Sequence, residues 1–211
     1  MKKVQDFYFK KAKEENYKAR SVFKLEEAQN KFKFIKASDN VLDVGCSPGS
    51  FSQYMLNKIL KSGSVVGVDI LPNSFAHQRF TFILGDIKDM DVTTFNNTLF
   101  DVVVSDAMPN TTSDRETNHF RSISLCRSIF DLAKEVLKEN GNFFIKVFDG
   151  KDLQDFKKEL SEYFDSVNVF KPKVQEMRAG KYFYFVKTLK SYDNIKGDNN
   201  EKRICFSIGN L

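Results

Sequence analysis

The sequence predicts an open α/β sheet, mostly parallel, with helices on both faces. Three observations carry this reading. Short runs are apolar at consecutive positions, as strands buried on both faces must be. The stretches between them space their apolar residues three and four apart, the period of one helix face. A glycine-rich turn follows the first run and opens onto a helix.

Taken in order, Asn40-Val41-Leu42-Asp43-Val44-Gly45 and Ser64-Val65-Val66-Gly67-Val68-Asp69 are β-branched and bounded by glycine. The segments 81–84, 100–105 and 142–147 continue the series, and all five read as strands buried on both faces. Phe120, Ile123, Ile129, Leu132, Ala133, Val136 and Leu137 recur at helical spacing, and Asn140-Gly141 reads as the stop signal. Leu153, Phe156, Leu160 and Phe164 repeat the pattern after Gly150. Such alternation gives right-handed crossovers. Two closing strands, 167–170 and 182–188, are separated by a loop too short for a parallel crossover, so that pair is expected to be antiparallel. Residues 1–190 read as one domain that opens with a basic helical segment, 1–36. The tail 191–211 is polar and expected to be loosely held.

At 211 residues the chain suits a single core, and 22 Phe with no Trp mean that core is packed largely on phenylalanine. Hydrophobic residues at 41% and charged residues at 29% are the balance of a soluble globular protein. No apolar run approaches the roughly 18 residues a membrane span needs. Basic Met1-Lys2-Lys3 leads into Val4-Gln5-Asp6 where a secretory leader would be apolar, so an intracellular protein is expected. Cys46, Cys126 and Cys205 are dispersed and odd in number, and His77 and His119 lack helical His or Cys neighbours. Neither a disulfide framework nor a metal site is expected, only surface or hydrogen-bonded histidines. The net charge of +5 is unevenly spread: residues 1–36 carry +6 and residues 171–190 carry +5, leaving an acidic body between two basic segments. One edge that binds a polyanion would produce that distribution, as would a lysine-rich solvated surface.

The first strand runs into Gly45-Cys46-Ser47-Pro48-Gly49-Ser50-Phe51, a turn that brings backbone close to a ligand and leaves helix-start N–H groups free. It lacks the third glycine of a GxGxxG dinucleotide fingerprint, which favours a nucleoside over a pyrophosphate. Asp69 ends the second strand 20 residues beyond Gly49, where a carboxylate accepts hydrogen bonds from a ribose diol. Asp86, after the third strand, is placed to hold an adenine amino group. Carboxylates around such a turn suit a positively charged sulfonium better than a phosphate chain.

Four segments together resemble the FtsJ/RrmJ-type ribosomal RNA 2′-O-ribose methyltransferases: Asp43–Phe51, Arg20-Ser21-Val22-Phe23-Lys24-Leu25, Ser105-Asp106-Ala107-Met108-Pro109-Asn110 and Phe144-Ile145-Lys146-Val147-Phe148. The resemblance covers roughly residues 17–189, and Asn110-Thr111-Thr112 with Ile123-Ser124-Leu125-Cys126 looks closest to the mitochondrial large-subunit branch. It implies a Rossmann-like class I fold with seven strands, the last one antiparallel, and S-adenosyl-L-methionine as cofactor. The cofactor would be held by Gly45, Ser47, Pro48, Gly49, Phe51, Asp69, Asp86 and Asp106. Catalysis would fall to Lys24, Asp106 and Lys146, and the partner would be ribosomal RNA or a ribosomal subunit, met by a monomer without metal or membrane. A mitochondrial location is implied, with cytoplasm or nucleolus as alternatives. Two departures stand out. Ala107 and Met108 are exchanged relative to the family's Asp-Met-Ala-Pro, and the family's glutamate ahead of the last strand falls on Lys181, or on Tyr182 with a one-residue shift. A shifted loop would instead bring Glu176 there.

The residues make chemical sense on their own. A ribose hydroxyl is a poor nucleophile and must lose its proton as it attacks a sulfonium methyl in line. A lysine serves as base only if burial or a neighbouring cation lowers its pKa from about 10.4. Lys146 lies within an otherwise apolar strand, and Asp106 sits at the carboxyl end of its strand, where open α/β sheets bind ligands. Two rival readings remain: an RNA-binding, cofactor-binding protein without turnover, and another α/β enzyme such as a dehydrogenase or base methyltransferase. The last lacks both a GxGxxG and the Asp/Asn-Pro-Pro-aromatic run of amino-group methylation.

Overall fold

The computed structural model describes residues 2–173 and 181–190. Its helices are α1 (Lys2–Glu14), α2 (Val22–Phe32), α3 (Ser50–Tyr54, continued by a π-helical turn Met55–Ile59), α4 (Arg115–Val136) and α5 (Leu153–Tyr163). Its strands are β1 (Val41–Val44), β2 (Val65–Asp69), β3 (Phe80–Leu84), β4 (Phe100–Ser105), β5 (Leu137–Phe148), β6 (Phe164–Phe170) and β7 (Lys181–Leu189). They form one seven-stranded sheet in the order β3-β2-β1-β4-β5-β7-β6. Pairings among β1 to β5 are parallel, whereas β7 runs antiparallel to both β5 and β6. The expected architecture is thus present, with the last strand reversed as expected.

Alternation along each strand sorts the sheet's side chains onto two faces. Leu42, Val44, Val103, Phe143, Ile145, Val147 and Tyr184 join α4 and α5 in one core. Val41, Val65, Val102, Val104, Phe144, Phe183 and Phe185 join α2 and α3 in the other. Asp43, Asp106 and Lys146 share the parity of this second set, so they belong to the face that α2 and α3 cover. Phenylalanine does fill both cores: Phe144 stacks on Phe183 at 4.7 Å, and Phe143 on Phe164 at 6.1 Å.

Five expectations change. The third strand is not buried on both faces, because β3 is the sheet's edge and all its residues stay at least partly exposed. Helix α4 stops at Val136 rather than at Asn140-Gly141, and Leu137 already pairs with Phe100. Asn140, at φ 62°, instead turns the chain within β5, where the register shifts between Phe100 and Val102. Phe164 likewise opens β6 rather than closing α5. Phe120 is 69% exposed; His119 takes the inward position, its ring packed against Gly150, and the next helical residue is turned outward. No α-helix lies between β2 and β3 or between β3 and β4, only loop and 3₁₀ turns. Among the described residues no helix is long and apolar enough to cross a membrane. The polar tail 191–211, Cys205 and Glu176 lie outside the described residues.

Candidate active site

All five parallel strands β1 to β5 end at one edge, and the residues singled out above cluster there. Asp106 follows β4 directly, and its carboxylate sits between two lysines. Lys24 Nζ, from α2, donates to Oδ1 and Oδ2 at 3.1 Å each. Lys146 Nζ, from β5, lies 3.0 Å from Oδ1 and donates as well to the Asp106 carbonyl. The side chains are only 17%, 16% and 4% exposed for Lys24, Asp106 and Lys146. Burial pushes the Asp106 carboxyl up, but Lys146 and then Lys24 outweigh it and hold the group below the usual carboxylate range. Lys24 also lies 5.6 Å over the ring of Phe183, whose backbone pairs with Lys146.

Next to this cluster lies the turn after β1. Gly45 (φ 74°) and Gly49 (φ 104°) occupy left-handed backbone that side chains disfavour. A Cβ on Gly45 would come within 2.6 Å of Ala107 Cα, and one on Gly49 within 2.6 Å of Phe75 Cβ. The glycines therefore let this turn pack against the loops after β4 and β2. Asp69 ties the arrangement together: its Oδ2 accepts from Ser47 N at 2.8 Å and its Oδ1 from Leu71 N at 2.9 Å. Ser47 Oγ donates to the Pro72 carbonyl, and Pro48 is exposed at the turn's tip. Phe51 is buried in the α2/α3 core, which leaves only its backbone for a ligand. Asp86 is exposed and accepts from Lys88 N, capping a 3₁₀ turn beyond β3.

One site residue escaped the sequence reading. Asp43, in β1, is 1% exposed; its Oδ2 accepts from Ser52 Oγ at 2.6 Å, while Oδ1 has no hydrogen-bond partner. Its signal was the one that exposed Lys146, a charged residue inside an apolar strand. The histidines are as expected: His119 is buried, with Nδ1 3.1 Å from the Phe148 carbonyl and Nε2 3.0 Å from Asp152. Cys46 and Cys126 are free and buried. Tyr182 packs with the α4/α5 core, on the opposite face from Lys146, so the one-residue shift does not bring it to the cluster. Of Lys181 only the backbone is described, paired with Phe148.

The two basic segments meet. Strand β6 is parallel to β5, so its end reaches the same edge, and Lys173 N donates to Glu27 Oε2 of α2 at 2.9 Å. Phe32 of α2 also packs edge-on against Phe170 at 5.6 Å.

The sheet order, the reversed seventh strand and a glycine-bounded turn beside a buried lysine–aspartate–lysine cluster define a class I methyltransferase. A cationic cofactor suits the donor set, since an orphaned buried carboxyl oxygen and the Asp69 carboxylate border the turn. The FtsJ-like methyltransferase family matches residues 17–189, and the chain belongs to that family, whose cofactor is S-adenosylmethionine. It is 93% identical over 190 residues to the ribosomal RNA large subunit methyltransferase E of Brachyspira hyodysenteriae, covering 90% of this chain and 98% of that one. The protein of the same name from Bdellovibrio bacteriovorus is 40% identical, over 80% of this chain and 88% of the other. A crystal structure of a Plasmodium falciparum protein described as a ribosomal RNA methyltransferase superposes with a TM-score of 0.72 at 24% identity, covering 82% and 98% of the two chains. The bacterial relatives overturn the mitochondrial expectation and point to the cytoplasm. The residues that suggested it include Ile123 and Cys126, which are core positions of α4. Packing against the sheet constrains those positions in any branch.

Proposed function

We propose that this enzyme transfers the methyl group of S-adenosylmethionine to a ribose 2′-hydroxyl of large-subunit ribosomal RNA, acting as a monomer of one domain over residues 1–190. The observation that carries the reading is the buried Lys24–Asp106–Lys146 cluster at the sheet edge where the turn after β1 opens. When bound, the cofactor supplies an electrophilic methyl; this chain's residues do the rest. Lys146 removes the hydroxyl proton at Nζ as the ribose oxygen attacks. In the free enzyme Asp106 pairs with Lys146 as an ammonium and fixes both lysines in place; burial and the Lys24 cation favour loss of that proton, which Lys146 must give up before it accepts the hydroxyl's. Asp69 and the backbone of residues 45–51 hold the nucleoside, Asp86 borders the adenine end, and the two basic segments carry the RNA backbone. Positioning hydroxyl against methyl contributes much of the rate.

The test is transfer of labelled methyl from cofactor to large ribosomal subunits lacking the modification, followed by mapping of ribose methylation. Label appearing on a base rather than a ribose would overturn the reaction assigned.

A further inference from the structure

We propose that binding of the cofactor is coupled to release of a proton from Asp43. The inference rests on the function proposed above and concerns a residue to which the sequence patterns assign no role. Asp43 is enclosed by Val41, Leu42 and Val44 in β1 and by β2 and β4 on either side, where it pairs with Gly67 and Val104. Within this enclosure its Oδ1 is, among the described residues, the one buried side-chain oxygen or nitrogen with no hydrogen-bond partner. A buried acceptor left open beside a ligand turn is most simply completed by the ligand.

The charges around it settle its state. From β2 it faces Asp69 and from β4 Asp106, both anionic; Cys46, three residues on, is a buried thiol whose pKa burial pushes far up, with Asp43 adding to the rise. From α3 Ser52 favours the charged form, first through the hydrogen bond its hydroxyl donates and then through its backbone N–H. Lys24 of α2 and Lys146 of β5 are both engaged with Asp106. With no cation of its own, Asp43 is pushed up to about 7, first by burial, then by Asp106 and Asp69. S-adenosylmethionine carries a sulfonium and an ammonium against one carboxylate, a net charge of +1. Its arrival favours the Asp43 anion, so a neutral carboxyl and the cation become an ion pair while the proton passes to the buffer. The sign follows: below about pH 7 the free enzyme holds the proton and affinity falls with acidity, and above it affinity levels off.

Calorimetry of S-adenosylmethionine binding in buffers of different ionisation heat counts the protons released. Measured against Asp43→Asn, which cancels the titration of the ligand's own α-amino group at about 7.7–8.0, titration of Asp43 around 7 gives about 0.9 extra proton released per site at pH 6, about 0.5 at pH 7 and about 0.1 at pH 8. Asp43→Asn removes the release at pH 6 and the fall in affinity between pH 7 and pH 6, leaving only the ligand's own titration. Ser52→Ala, which leaves the carboxyl in place, removes the hydroxyl hydrogen bond that favours its anion and raises release at pH 8 above wild type. Binding with no buffer-dependent heat at pH 6, or equal release by Asp43→Asn, overturns the coupling alone. Absence of any binding takes down the cofactor reading with it.

Discussion

Replacing Lys146 by methionine keeps the buried aliphatic volume and deletes the ammonium, so the result reads charge rather than packing. Asp106 keeps only Lys24, at 3.1 Å from each oxygen. Removing one member of a buried ion pair costs about 3–5 kcal/mol; the remaining lysine and the 16% exposure of Asp106 place the loss near the lower bound, about 3 kcal/mol at neutral pH. The loss must depend on pH. In the wild type the depressed pKa of Asp106 contributes stability that is present above the unfolded value of about 3.9 and lost as pH falls through the folded one. Without Lys146, burial meets weaker opposition, the pKa rises, and Asp106 takes up a proton earlier on acidification. The gap between variant and wild type, about 3 kcal/mol at pH 7.5, should therefore be smaller at pH 4.5. Urea denaturation at the two pH values measures it. Methyl transfer in single turnover should fall about a hundredfold or more while cofactor affinity stays within a few-fold. A penalty independent of pH would refute the ion-pair argument, and turnover within about threefold of wild type would remove Lys146 as the base.

Gly49→Val forces a β-branched side chain into φ 104° against Phe75, and Asp69→Ala frees the Ser47 and Leu71 amides. Each should weaken S-adenosylmethionine binding at least about tenfold by calorimetry, and unchanged affinity in both would misplace the site. Neutralising Lys10, Lys11 and Lys18, or Lys171 and Lys173, should weaken RNA binding and flatten its salt dependence by about 0.7–0.9 for each phosphate that is no longer neutralised; an unaltered slope in both sets would move the RNA elsewhere. Lys181→Ala should be much milder in single turnover than Asp106→Ala, because Lys24, Asp106 and Lys146 are complete without it. A loss as deep as that of Asp106→Ala would make position 181 part of the machinery.

Much of this clustering was legible in the sequence because the ends of parallel strands gather at one edge. Asp69, Asp106 and Lys146 each terminate or nearly terminate an apolar run, and the carboxyl edge of a parallel sheet collects such ends. What could not be read depends on neighbours. The composition of β3 suits a buried strand, but among the described residues no strand pairs beyond it, and nothing in its own five residues reports that. Helical spacing could not decide between His119 and Phe120, since adjacent residues on α4 compete for one inward position and Gly150 settled it for the imidazole. Asp43 is masked by the glycine motif around it, whose backbone accounts for a ligand turn without any carboxylate, although its isolation among Val41, Leu42 and Val44 is visible.

Asp43 and Asp106 show how position within one edge decides the fate of identical groups. The carboxyls at the ends of β2, β1 and β4 form a row of three, and each has a different counterpart. Asp69 is held by backbone amides, Asp106 by two ammonium groups, and Asp43 by Ser52 alone. With Asp43 neutral, two lysines balance the Asp69 and Asp106 carboxylates and the edge carries no net charge. A cationic cofactor would disturb that balance unless Asp43 ionised, which its value of about 7 allows near neutral pH. Methyl transfer leaves a neutral thioether while the hydroxyl proton passes to Lys146; once that proton has left for solvent, the same balance calls a proton back to Asp43. S-adenosylhomocysteine should accordingly release fewer protons on binding than S-adenosylmethionine, with a difference that disappears in Asp43→Asn. Equal release by the two ligands would mean that Asp43 responds to the ammonium they share and not to the charge that the reaction consumes.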